Sequence, residues 1–152
     1  MKTRLLSRKD IESFFTMNLC MEAVEKAFAD LATGNATMPQ RTPLPVPDHH
    51  GIALFMPAYI KSLGALGAKV VSVYKDNVAK HGLPTVLGTI ILLDEATGFP
   101  LAIMDGGYLT AMRTGAVSGV ATKYMSRSDA RVAAIFGTGV QAVTQVLAVH
   151  EA

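Results

Sequence analysis

Apolar positions along the chain change their period several times, and each change marks an element. "SRKDIESFF" opens on Ser7 with Asp10 three residues on, a capping-box pattern that predicts a short helix. Asn18 is placed to cap a second helix. Met21, Val24, Ala27, Phe28 and Leu31 then recur at helical spacing, which predicts a stripe in the core, and Gly34 ends it. The proline-rich "TMPQRTPLPVPDHHG" forbids helix and predicts an extended segment. "IALFMPAYI" reads as a strand that breaks at Pro57, and Leu66 to Tyr74 as a valine-rich strand. Val86 to Asp94 and Phe99 to Asp105 read as two strands joined through "EATG" in a hairpin, with Asp94 and Glu95 as turn chemistry. From Tyr108 to Met125 the small residues Ala111, Gly115, Ala116, Ser118, Gly119 and Ala121 predict a long, closely packed helix.

After the polar turn "SRSDAR" the pattern changes character. Val132 to Phe136 reads as a buried strand. Gly137, Gly139 and Ala142 follow at G-x-G-x-x-A spacing, with Thr138 and Gln141 in the turn, and open a further helix. An ordinary tight strand-to-helix turn has the same look. The richer reading is the start of a dinucleotide-binding βαβ unit, with phosphates on backbone N–H groups at the helix N-terminus. The chain then divides near residue 127. Such a unit needs about 30 residues and a second parallel strand. Residues 128–152 are therefore expected to hold only its first βα step, and the segment after Arg131 to be the least well anchored.

Composition narrows the classes. Half of the 152 residues are hydrophobic and 17% are charged, so a buried core is expected. The net charge of +2 comes from scattered basic residues, which gives nucleic-acid binding no support. No apolar run approaches a membrane span or a signal peptide, so the expected location is cytoplasmic, with no membrane partner. The single cysteine, Cys20, forms no disulfide within the chain and is expected to pack in the core. His49, His50 and His81 show no metal-ligand spacing, so no metal is assigned, and no nucleophile-elbow motif occurs.

Three basic residues stand where a charge is expensive. Lys69 in "GALGAKVVSVY" shares a strand face with Val71 and Val73, and an unpaired ammonium there either finds an anion or loses its proton readily. The plainer alternative is an edge-strand lysine that blocks aggregation. Arg113, on the small-residue helix, suits a planar carboxylate or a phosphate, or is simply exposed. Arg41 stands in the rigid proline segment, which suits a binding role; a solvated loop arginine is the plainer alternative.

Together these stretches resemble a known family. "GAKVVSVYKDN", then "GLPTVLGTIILLDEATGFPLAIMDGGYLTAMRTGAVSGVATKYM", then "VAAIFGTGVQA" are similar, in that order, to the ornithine cyclodeaminase/mu-crystallin family. The resemblance implies an α/β protein. Residues 1–127 would form an α+β substrate and dimerisation domain, lacking a returning C-terminal segment. Residues 128–152 would begin an inserted Rossmann domain.

It implies NAD or NADP as cofactor, a small amino or imino acid as substrate, and a homodimer. Arg41, Met56, Lys69 and Arg113 match substrate-holding positions, with Lys69 as the catalytic proton donor or acceptor and Met56 as a pocket wall. Thr85, Arg113, Gly137, Thr138, Gly139, Val140 and Gln141 match cofactor-holding positions. The acidic residue that would tell NAD from NADP, and the aspartate that serves cyclodeamination, are expected beyond Ala152. "YKDNVAKHGLPT" is closer to the alanine dehydrogenase and imino-acid reductase members than to strict cyclodeaminases. Two other readings remain open: a mu-crystallin-like binder of NADPH and a small ligand, and an inactive piece of a truncated gene.

Overall fold

The computed structural model describes residues 2–152. The first elements are β1 (Arg4–Leu6), α1 (Arg8–Glu12), α2 (Met17–Ala32), β2 (Ala36–Thr37) and β3 (Thr42–Val46). Then come β4 (Gly51–Ile60), β5 (Ala65–Tyr74), α3 (Asn77–His81), β6 (Val86–Asp94) and β7 (Pro100–Asp105). The chain closes with α4 (Gly106–Met125) and α5 (Val140–Glu151). The strands make one seven-stranded sheet in the order β1-β7-β6-β5-β4-β2, with β3 also pairing on β4. Among the described residues, β1 alone runs parallel to its neighbour. The architecture is α/β, with an antiparallel centre.

Local chemistry sets most boundaries. Ser7 and Asp10 form the capping box of α1. The hairpin between β6 and β7 is closed by Asp94, whose carboxylate accepts from the Thr97 backbone N–H at 2.8 Å. Asp105 caps α4 by accepting from the Tyr108 N–H at 2.8 Å, so the helix begins two residues earlier than its apolar pattern indicates.

Four expectations are corrected. The cap of α2 is Thr16, which accepts from the Leu19 N–H at 3.3 Å, and Asn18 lies inside the helix. The apolar stripe of α2 is buried only at its start: Phe28 and Leu31 are 46% and 43% exposed. The core cluster takes Met17, Cys20 and Met21 from this helix, with Val24 packed against it, so the second half of α2 runs past the cluster. Strand β4 does not break at Pro57, which pairs with Ala68 inside the ladder. Beyond β4, partners β3 and β2 engage residues 51–55 and 59–60, so the outer edge is open around Pro57, where a missing donor is tolerated.

The fourth correction concerns Val132 to Phe136, which forms no strand; Val132 and Phe136 are 92% and 97% exposed. A parallel strand needs neighbours, and no strand of this sheet pairs with the segment. The helix that follows is, by contrast, well seated. Ala148 of α5 is fully buried in a cluster with Met17, Cys20, Met21, Met112, Ala116 and Val120. Gly115 and Gly119 make this possible. A Cβ at Gly115 would collide with the Thr144 carbonyl, and one at Gly119 would lie 2.8 Å from the Ala148 oxygen. The weak anchoring expected after Arg131 is thus confined to the exposed stretch before α5.

Candidate functional site

Lys69 lies in the middle of β5, an interior strand, opposite Met56 on β4 and Ile90 on β6. An edge-strand role for this lysine is therefore excluded. Directly paired residues point to one face of a sheet. On this face, one pair further along, Val71 is buried opposite Gly88, and α4 packs over it. Lys69 Nζ donates to Thr110 Oγ1 of α4 at 3.4 Å. Thr110 and Arg113 are three residues apart and share a helix face. On the other side, the β3–β4 register ends at Thr42 opposite Phe55, so Arg41 comes level with Met56. Met56 and Lys69 lie side by side on neighbouring strands, Arg41 directly precedes β3 at the level of Met56, and the charges of Arg41 and of Arg113 on α4 both act on Lys69.

The electrostatics agree with that geometry. The Lys69 amine is half-buried, and its pKa is lowered, first by burial and then by the charges of Arg113 and Arg41. A lysine so placed gives up and takes back a proton closer to neutral pH than a free one does. Among the described residues, none of the three cations is in an ion pair. Both arginines are exposed and, among the described residues, their side chains have no hydrogen-bond partner, so their planar forks are open to an anion. Behind them, burial pushes the Cys20 thiol up to about 11, with Arg113 opposing, and the thiol packs in the core as expected.

The glycine turn leads into α5, which packs along α4. The contacts Gly115–Thr144 and Gly119–Ala148 advance together along α4 and α5, so the two helices run in the same direction. The start of α5 is thereby level with the turn of α4 that carries Thr110 and Arg113. Gln145 Nε2 ties the helices by donating to the Thr114 carbonyl at 3.3 Å. Gly137 has φ +103, and a Cβ at Gly137 or Gly139 would meet nothing. The cap residue of α5, Gly139, makes no side-chain hydrogen bond, which leaves first-turn N–H groups open beside Thr138, Val140 and Gln141. Open donors, a positive helix end and glycines that allow close approach fit a phosphate-bearing cofactor.

Thr85 is placed elsewhere. Its carbonyl accepts from the Tyr74 N–H at 2.9 Å, at the far end of the β5–β6 ladder. It lies about 17 Å along the strand from the level of Lys69, five residues at roughly 3.4 Å each. Thr110 is the site residue that sequence reasoning passed over. The available signal was its position one turn before Arg113. No group of three or more His, Cys, Asp or Glu among the described residues is arranged to hold a metal ion. No helix among them is long and apolar enough to cross a membrane.

A sequence profile of the ornithine cyclodeaminase/mu-crystallin family matches residues 1–152. An alanine dehydrogenase of Archaeoglobus fulgidus is 41% identical over 150 residues, covering 99% of this chain and 45% of the relative. The structure of Thermococcus litoralis Delta(1)-pyrroline-2-carboxylate reductase, in complex with NADH and L-proline, superposes with a TM-score of 0.93 at 52% identity. That match covers 98% of this chain and 46% of the other. An archaeal alanine dehydrogenase dimer with bound NAD gives a TM-score of 0.93 at 40% identity, covering 99% of this chain and 46% of the other. The chain thus spans somewhat under half the length of the proteins it matches.

Proposed function

The chain belongs to the ornithine cyclodeaminase/mu-crystallin family, and on that premise we propose that it carries the substrate-holding part of an NAD- or NADP-dependent enzyme for a small amino or imino acid. The observation that carries this reading is the half-buried Lys69 beside Met56, acted on by the charges of Arg113 and Arg41, with none of the three cations in an ion pair among the described residues. Arg41 and Arg113 grip the substrate carboxylate through paired N–H donors. Met56 forms the pocket wall. Lys69, held toward Thr110, gives a proton to the substrate nitrogen or takes one from it. The turn Gly137–Gln141 and Arg113 hold the cofactor, which supplies the hydride donor or acceptor for the substrate α-carbon. Residues 1–127 act as the substrate and dimerisation domain, and residues 128–152 open the dinucleotide-binding domain.

A homodimer is part of the proposal. The sheet face opposite Lys69 carries exposed Leu5, Leu44, Phe55 and Ile103. A solved relative is a dimer. A second copy pressed on this face would remove those side chains from water.

The test is competitive acylation of Lys69 read by mass spectrometry. Pyrrole-2-carboxylate, a planar carboxylate, is expected to protect Lys69. Arg41→Ala and Arg113→Ala are each expected to weaken that protection by roughly tenfold or more, since a charge-assisted hydrogen bond contributes about 1.5–3 kcal/mol. Equal labelling with and without the carboxylate overturns the reading.

A further inference from the structure

Thr110 and Thr114 stand about one turn apart on α4, yet their hydroxyls do different things. Thr114 Oγ1 donates to the Thr110 carbonyl at 2.7 Å, the bond back to the preceding turn that a helical threonine ordinarily makes. Among the described residues Thr110 makes no such bond to Gly106. Its Oγ1 is turned instead to β5, where it accepts from Lys69 Nζ at 3.4 Å. Both threonines are partly buried, and the seam with α5 holds α4 in this rotation, because Gly115 meets the Thr144 backbone where no Cβ would fit.

We propose that Thr110 is the positioning residue of Lys69: its hydroxyl holds Nζ in place both when the lysine carries its proton and when it has given it up. This rests on the proposed function, in which Lys69 changes protonation state. A hydroxyl suits the task because it is both donor and acceptor. Toward the ammonium, which only donates, Oγ1 offers a lone pair. Toward the neutral amine, whose nitrogen has a lone pair of its own, the same hydroxyl rotates and donates. A carboxylate in this place would favour the charged form alone. Thr110 moves no proton itself; the proton passes between Nζ and the substrate nitrogen. The titratable groups acting on Nζ are Arg113 of α4 and Arg41 before β3, and both disfavour its charge. The strand partners Met56 and Ile90 do not titrate. The Thr110 lone pair works against the two arginines.

The experiment follows the Lys69 Cε–Hε signals by NMR through a pH titration of the natural chain, Thr110→Val and Thr110→Ser, with Lys69→Met for assignment. Valine keeps the shape and removes the hydroxyl. Its Lys69 should titrate further below the ordinary lysine range, by about three- to tenfold in the acid constant, the scale of one charge-assisted hydrogen bond discounted for a half-exposed amine. Serine keeps the hydroxyl and should restore most of the natural value. Added pyrrole-2-carboxylate should still move the Lys69 signals in all three proteins, because the arginines are untouched.

A Thr110→Val midpoint equal to the natural one overturns the inference. So does a Thr110→Ser protein that titrates like the valine variant, since the side chain then acts by packing alone. Either result leaves the anion site standing as long as pyrrole-2-carboxylate moves the Lys69 signals. No response of Lys69 to the carboxylate in the natural sequence overturns the proposed function and, with it, the inference. Should Thr110→Val fail to fold, Thr110→Ala takes its place in the same comparison.

Discussion

The two faces of the sheet are built from alternate residues of the same strands, yet they carry opposite kinds of surface. Lys69 and Val71 of β5 point under α4, toward Thr110 and the close seam that α4 makes with α2 and α5. Val70, between them, pairs with Phe55 and Thr89 on the opposite face, where Phe55 and Ile103 are exposed. One face is closed by a helix and interrupted by a lysine. The other is apolar and open. The period of two in an extended strand lets a single segment serve chemistry on one side and association on the other, without compromise between them.

Neighbouring substitutions test the contrast most severely. Val71→Asp puts a charge at a position only 7% exposed, with α4 above it. It should destabilise the fold by about 3 kcal/mol or more, seen as a large drop in the urea midpoint. Val70→Asp, one residue away, should leave the fold standing and weaken self-association by roughly 30-fold or more, the scale of about 2 kcal/mol at an interface centre. Analytical ultracentrifugation reads the second effect. Equal damage to stability from both variants would dissolve the distinction between the faces.

A smaller effect sharpens the chemical side. Lys69 has its pKa lowered in the folded chain, mainly by burial and then by Arg113 and Arg41. Between the folded and unfolded values the unfolded chain binds more protons, so stability rises with pH across that window. Lys69→Met removes the penalty of the charged amine. It should stabilise the fold near neutral pH by up to about 1 kcal/mol, a figure kept small because the amine is half-exposed and screened. The gain should shrink as pH rises through the window. Urea titrations at neutral and alkaline pH measure it, and a variant less stable at neutral pH contradicts the account.

Much of this arrangement was legible in the sequence, for reasons that differ by residue. Lys69 and Arg113 declared themselves as charges in apolar or small-residue runs, and Arg41 through the rigidity of its prolines. The β6–β7 hairpin was readable because Asp94 and Thr97 close it locally. What depended on distant partners was not readable. Thr110 gains meaning only when α4 is laid over β5. Phe28 and Leu31 keep helical spacing but run past the core, which periodicity does not report. Val132 to Phe136 has the composition of a buried strand, and composition does not supply a neighbouring strand to pair with. Pro57 was misjudged because its tolerance depends on where β3 and β2 leave the edge of β4.

The central claim is that Lys69, Arg41 and Arg113 share one cleft that awaits an anion. The direct measurement is a pH titration of the Lys69 Cε–Hε signals, in the natural sequence and in Arg113→Ala. The account predicts titration below the ordinary lysine range, a partial return toward that range in Arg113→Ala, and a rise when pyrrole-2-carboxylate is bound, because the anion favours the charged amine. Titration at the ordinary lysine value, unmoved by the arginine substitution and by the carboxylate, would contradict it.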